Sequence, residues 1–173
     1  MDKNKEVPLF ASRLNSMGSR RDLWAGDNSV LDWVARQGTI EGLDLVDFNC
    51  PQHFKEYTTE KVKKALDSAS LKTGAVCTRF TQEFENGAFT HPESSKRKAA
   101  IDLVLNAGEW ARSLDAKELV VWSAYDGYDY SFQADYHLML SLIHISEPTS
   151  PRLISYAVFC LQKKGGGGGG GGG

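Results

Sequence analysis

Four short apolar runs recur along the chain, Leu9-Phe10-Ala11-Ser12-Arg13-Leu14, Leu43-Asp44-Leu45-Val46-Asp47-Phe48, Gly74-Ala75-Val76-Cys77-Thr78-Arg79 and Leu119-Val120-Val121-Trp122, and the segments between them carry helical spacing. That alternation constrains the fold more than any other feature. Strand, helix, strand in repetition predicts a parallel sheet joined by right-handed crossovers, with four β units and three complete connections. The first crossover opens on Ser29 and Asp32, which resemble a capping box, and carries Val30, Leu31 and Val34 before Gly38. In the second, Thr58 and Thr59 precede Val62, Ala65, Leu66 and Ala69, while Lys61, Lys63 and Lys64 make a solvated face. The third begins at Pro92 and Glu93, with an expected core stripe of Ile101, Val104, Leu105, Gly108, Ala111 and Leu114 in which Gly108 permits close approach to the sheet. No Gly-rich phosphate loop follows any strand, so a dinucleotide-binding fold lacks its signature.

In a parallel α/β barrel the carboxyl ends of the strands face the substrate. The fourth run fits that pattern, since it stops at Trp122 and opens into Ser123-Ala124-Tyr125-Asp126-Gly127-Tyr128-Asp129-Tyr130, crowded with aromatic and acidic groups. The competing reading is a core strand with an aromatic-rich surface loop. At the exit of the first strand, Arg13 and Asn15 are placed to face a ligand; equally, Arg13 pairs with a neighbouring carboxylate and Asn15 supports a turn. The second strand ends in Asn49-Cys50-Pro51-Gln52-His53, where polar groups converge. A lone His such as His53 is more often structural than catalytic.

The chain has 173 residues, 41% of them hydrophobic, and a net charge of -2, within the range of an ordinary globular domain. Residues 140–173 stand apart. Leu140-Ser141-Leu142-Ile143-His144-Ile145-Ser146-Glu147-Pro148-Thr149, a short gap, Ile154 to Leu161, Gln162-Lys163-Lys164 and then glycine to the end resemble the in-frame translation of a sequencing-library adapter. The alternative is an apolar strand, a Ser/Pro turn and a flexible glycine linker. Two domains are thus expected, a partial barrel over 1–139 and an adapter-derived tail over 140–173, whose segment 140–145 is apolar enough to lie as a strand beside the fourth. Without Arg152, Lys163 and Lys164 of the 20 basic residues and Glu147 of the 22 acidic ones, 17 and 21 remain, a net charge of about -4. No basic patch points to nucleic acid. Cys50 and Cys77 show no metal-ligand spacing and read as reduced core thiols. With a polar amino terminus and no run near the ~18 apolar residues of a membrane span, the expectation is a cytoplasmic protein without membrane contact.

The segment Trp122-Ser123-Ala124-Tyr125-Asp126-Gly127-Tyr128 resembles the fourth-strand motif of xylose isomerases, a Trp, three residues, an acidic residue and Gly-Tyr. Leu43 to Asn49 with Pro51-Gln52-His53, Gly87-Ala88-Phe89-Thr90-His91-Pro92, and Asp126 to Tyr136 are similar to the wider xylose-isomerase-like group of sugar isomerases and epimerases. The resemblance covers most of residues 7–136 in the order of strands one to four, the N-terminal half of a (β/α)8 TIM barrel. It implies a parent enzyme that isomerises aldoses and ketoses or epimerises ketoses with a divalent metal, Mg²⁺ or Mn²⁺, whose catalytic and metal-binding residues lie beyond residue 139. For this chain it implies a small-molecule sugar as partner, a parent compatible with a homo-oligomer, no metal ligands and no catalysis. The implied substrate-binding residues are Trp122, Asn49, His53, Arg13, Asp126 and Tyr128, with Trp122 walling the pocket.

One departure matters. Xylose isomerases carry a His after the Phe that ends strand two; here Phe48 is followed by Asn49, which hydrogen-bonds a sugar but exchanges no proton near neutral pH. Strict xylose isomerase activity is therefore not expected. Two alternatives stay open, a non-catalytic sugar-binding barrel and a metal-dependent barrel acting on abasic sites in DNA. Four strands alone would leave two open sheet edges and an uncovered face, and self-association is expected.

Overall fold

The computed structural model describes residues 8–19, 27–126, 135, 137–139, 141–142 and 157–158. Its strands are β1 (Ala11–Arg13), β2 (Leu45–Cys50), β3 (Lys72–Arg79), β4 (Glu118–Trp122) and the two-residue β5 (Ala157–Val158). Helices α1 (Val30–Gln37), α2 (Thr59–Ser68) and α3 (Ser94–Ser113) fill the crossovers. All neighbours pair parallel in the order β1-β2-β3-β4-β5. Sequential strand order with a helix in each of the three crossovers from β1 to β4 is the arrangement of one side of a (β/α)8 barrel.

Local chemistry explains the helix starts. Asp32 N–H donates to Ser29 Oγ at 3.2 Å and Ser29 N–H donates to Asp32 Oδ2 at 3.0 Å, a complete capping box. In α2, Val62 and Leu66 are buried and the three lysines lie outside, as the spacing predicts. Glu93 is the N-cap of α3, so the helix begins at Ser94, two residues after the expected start at Pro92.

The buried stripe of α3 also differs from the expected one. Ala100, Ala107 and Ala111 are its buried residues, Ile101 and Val104 are half-buried, and Leu105 is 45% exposed. Small side chains lie nearest the sheet and let the helix pack closely. Gly108 is not required for that approach, because a Cβ there would meet Leu119 Cδ2 at an ordinary 3.8 Å. β1 is shorter than the apolar run that predicts it: Leu9 and Phe10 are exposed, and Leu14 begins a single 3-10 turn to Gly18. Of the 140–145 segment expected as a strand, Ser141 and Leu142 are helical, and 140 and 143–145 lie outside the described residues. The pairing beside β4 comes instead from Ala157 and Val158.

The main core lies between the sheet and its helices. Val46, Phe48, Cys50 and Val76 from the strands pack with Val34, Val62, Leu66, Ala107 and Ala111. A second cluster of Phe80, Phe84, Ala88, Phe89 and Val121 covers the carboxyl ends of β3 and β4.

Candidate functional site: the open face at the strand ends

Alternation along the strands fixes what the other face presents. With Val46, Phe48, Cys50 and Val76 committed to the helices, the open face receives Arg13 from β1, Asp47 and Asn49 from β2, Cys77 and Arg79 from β3, and Trp122 from β4. Register sets their neighbours: Arg13 lies beside Asp47, Asn49 beside Cys77, and Arg79 beside Trp122. Polar groups thus gather at the carboxyl ends of the strands.

A register irregularity builds part of this face. Val46 pairs with Thr73 but Phe48 pairs with Val76, so β3 carries one extra residue at Gly74-Ala75 opposite Asp47. Ala75 N–H, displaced from the ladder, donates to Asp47 Oδ1 at 2.8 Å. The carboxylate lies where a side chain of residue 74 would sit: a Cβ on Gly74 would be 2.5 Å from Asp47 Oδ1. Burial raises the Asp47 pKa above its ordinary value, with a further push from Glu118, against the Ala75 hydrogen bond and Arg13.

Trp122 is half-buried, and the Arg79 guanidinium carbon lies 3.7 Å from its ring centroid. One face of the indole is therefore covered by a cation. Arg79 was not among the candidate residues. Its signal was its place as the last residue of strand three, two beyond Cys77, in register with the Trp that ends strand four. Burial lowers the Arg79 pKa from its ordinary value and the nearby Arg13 adds to this, while Cys77 and Tyr125 act in the opposite direction.

Asn49 is buried and its Nδ2 donates to Asn15 Oδ1 at 2.7 Å, joining the ends of β1 and β2. His53 is 3% exposed, and its Nδ1 accepts from Asn49 N–H at 2.9 Å. Its ring meets Trp33 and Phe48 edge to face. Burial, with Arg79 adding to it, lowers the His53 pKa to about 4, so the ring is neutral at physiological pH. Asp126 Oδ1 accepts from Ala88 N–H, Thr90 N–H and Thr90 Oγ1 at 2.8, 3.0 and 2.8 Å, tying the loop after β4 to the loop after β3. Tyr128 lies outside the described residues. The structure thus brings Arg13, Asn49 and Trp122 to one face, with His53 beneath Asn49 and Asp126 engaged between loops.

Cys50 and Cys77 are both free thiols. Burial pushes Cys50 up to about 12 and also raises Cys77, so neither is a ready thiolate at neutral pH. Among the described residues no three His, Cys, Asp or Glu side chains come together as metal ligands. The open face as described does not fit a metal centre. A separate cleft lined by Lys63, Leu66, Lys72 and Asp115 lies at the amino-terminal ends of β3 and β4, away from these groups. No described helix is long and apolar enough to cross a membrane.

This geometry defines an α/β structure with parallel strands and helical crossovers, and comparison with solved structures specifies it further. Over 81% of this chain and 48% of the other, the structure is similar to that of an AP endonuclease, family 2, from Brucella melitensis, with a TM-score of 0.54 at 14% identity. It is also similar to D-psicose 3-epimerase with D-tagatose from Clostridium cellulolyticum H10, with a TM-score of 0.52 at 16% identity over 80% and 46% of the two chains. A third likeness is to a sugar phosphate isomerase/epimerase from Parabacteroides distasonis, with a TM-score of 0.52 at 9% identity over 84% and 46%. No family model matches the chain. The chain spans slightly under half the length of these structures and has the fold of about half a TIM barrel.

Proposed function

We propose that the open face is one wall of a sugar pocket, and that the whole protein is a sugar isomerase or epimerase assisted by a divalent metal. The observation that carries this reading is Trp122, presented at the carboxyl end of β4 beside Arg79 and on the same face as Asn49. An aromatic wall flanked by fixed hydrogen-bonding groups suits a polyol with an apolar C–H face. Asn49 Nδ2 is engaged by Asn15, which leaves Asn49 Oδ1 to accept from a sugar hydroxyl. The epimerase and isomerase likenesses support the same class.

The chain's own residues position substrate rather than react with it. Asn49 moves no proton near neutral pH, and His53 holds a backbone N–H on the nitrogen that would act as base. Residues 1–139 are half a barrel in this reading and 140–173 are foreign to it, so proton transfer and metal binding belong to strands outside 1–139. The likeness to an AP endonuclease favours a second reading, metal-assisted cleavage of DNA at abasic sites. The acidic charge balance works against binding a polyanion.

The test is the protein from the uninterrupted gene, assayed on neutral and charged aldoses and ketoses with Mg²⁺ or Mn²⁺. Turnover abolished by chelation is expected, with Trp122→Ala raising KM about tenfold, or ~1.4 kcal/mol of lost binding. Salt-sensitive nicking of abasic DNA without sugar turnover would establish the second reading, and metal-independent sugar binding without turnover would show a barrel that binds but does not react.

A further inference from the structure

We infer that the open face carries an oxyanion subsite, in which Arg79 and Arg13 receive a phosphate or carboxylate group borne by the sugar. The inference rests on the sugar-pocket reading and narrows its substrate class. Arg79 ends β3 and Arg13 ends β1, so the two guanidinium groups stand on the same face at the same end of the sheet, on either side of β2. Between them β2 offers Asp47 and Asn49. Asp47 acts on Arg13 electrostatically but forms no ion pair with it, its Oδ1 accepting from Ala75 N–H, and Asn49 is neutral.

Among the described residues no carboxylate lies within ion-pair distance of Arg79 or Arg13, and no side chain or backbone carbonyl accepts a hydrogen bond from either guanidinium. Arg79 is nonetheless half-buried, with its guanidinium carbon over the Trp122 ring at 3.7 Å from the centroid. A guanidinium fixed on an aromatic plane keeps its N–H donors at its edge, which is the geometry for a two-pronged grip on an oxyanion. Arg13 is exposed and Arg79 half-buried, and two like charges on one face repel, a repulsion that an anion received there relieves. Burial and Arg13 both push Arg79 toward the neutral form, the direction that a bound anion would reverse. The half-buried Cys77 thiol, two residues before Arg79 on β3, works in the opposite direction on Arg79, while burial raises its own pKa. Because the cation covers one face of Trp122, the pocket floor there is positive rather than apolar. A neutral sugar leaves that charge unmatched.

The full chain would be titrated calorimetrically with a neutral hexulose, its 6-phosphate, a hexuronate and inorganic phosphate, in the original protein and in Arg79→Met, Arg79→Lys and Arg13→Met. At least one charged sugar should bind tenfold or more tightly than the neutral one, and the phosphate and carboxylate arms show which group is taken. The preference should vanish in Arg79→Met, weaken in Arg79→Lys, which keeps the charge but lacks the fork, and shrink with added salt. If Arg79→Met does not fold, Arg13→Met and competition by inorganic phosphate give the same reading. Neutral sugar bound as well as charged sugar overturns the subsite and leaves the sugar pocket standing. Phosphate binding that depends on Arg79, with no sugar bound, keeps the subsite and removes the sugar pocket. Absence of binding by every ligand, or a preference that survives in both methionine variants, overturns the subsite.

Discussion

Asp47 and Gly74 occupy one volume, and this pair shows how a single residue type is fixed by its neighbour. A methyl group at residue 74 would displace the carboxylate that satisfies Ala75 N–H. Gly74→Ala should cost about 1–3 kcal/mol in urea denaturation, from overpacking and one lost hydrogen bond. His53 gives a second prediction. Its folded pKa of about 4 lies below the ordinary 6.5, so the unfolded chain takes up the proton first as pH falls. The stability that depends on neutral His53 is fully present above pH 6.5 and is lost as pH falls toward 4, by up to about 3 kcal/mol. Urea midpoints measured between pH 7 and pH 4.5 should fall in the original protein and fall less in His53→Gln; parallel curves would contradict this. The sequence shows that Asn49 and His53 stand at a strand exit. It does not show that His53 Nδ1 would be taken by Asn49 N–H, because that contact depends on how the chain turns after Cys50.

At the scale of elements, strands and helices were legible because hydrophobic spacing reports which face is buried. Where small residues do the packing, the same spacing misleads: α3 turns Ala100, Ala107 and Ala111 inward and leaves Leu105 exposed, an outcome that apolar periodicity alone does not distinguish. The sequence implies Asp126 as a substrate-binding residue. Its three donors, all from Ala88 and Thr90, make it the tie between two loops at the strand ends. Asp126→Ala should therefore destabilise by about 2–4 kcal/mol, since backbone donors are left unpaired. Limited proteolysis should show faster cleavage near Asn86-Gly87 in that variant. Unchanged cleavage and unchanged stability would mean that the tie is not required. The Arg79–Trp122 stack was out of reach of sequence reading for a related reason, since it depends on the pairing of β3 with β4 rather than on either strand alone.

At the scale of the molecule, a parallel sheet that covers under half of a TIM barrel leaves its open face and its β1 edge without a protein partner among the described residues. Leu9 at 49% and Phe10 at 62% exposure sit at that edge. Unpaired strand edges and exposed apolar groups favour self-association, and sedimentation of the 173-residue chain should show concentration-dependent oligomers. A monomer that unfolds in one cooperative step would contradict that. We propose that residues 1–139 are half of a longer barrel whose other wall completes the site. Sequencing the locus across the codons for Leu138 to Leu161 from an independent library tests it most directly. The reading frame is expected to depart from the present sequence near residue 140 and to continue through four more β/α units with acidic and histidine residues at the strand ends. The same codons recovered through Leu161 and into the glycine run, from DNA that never met an adapter, would contradict it.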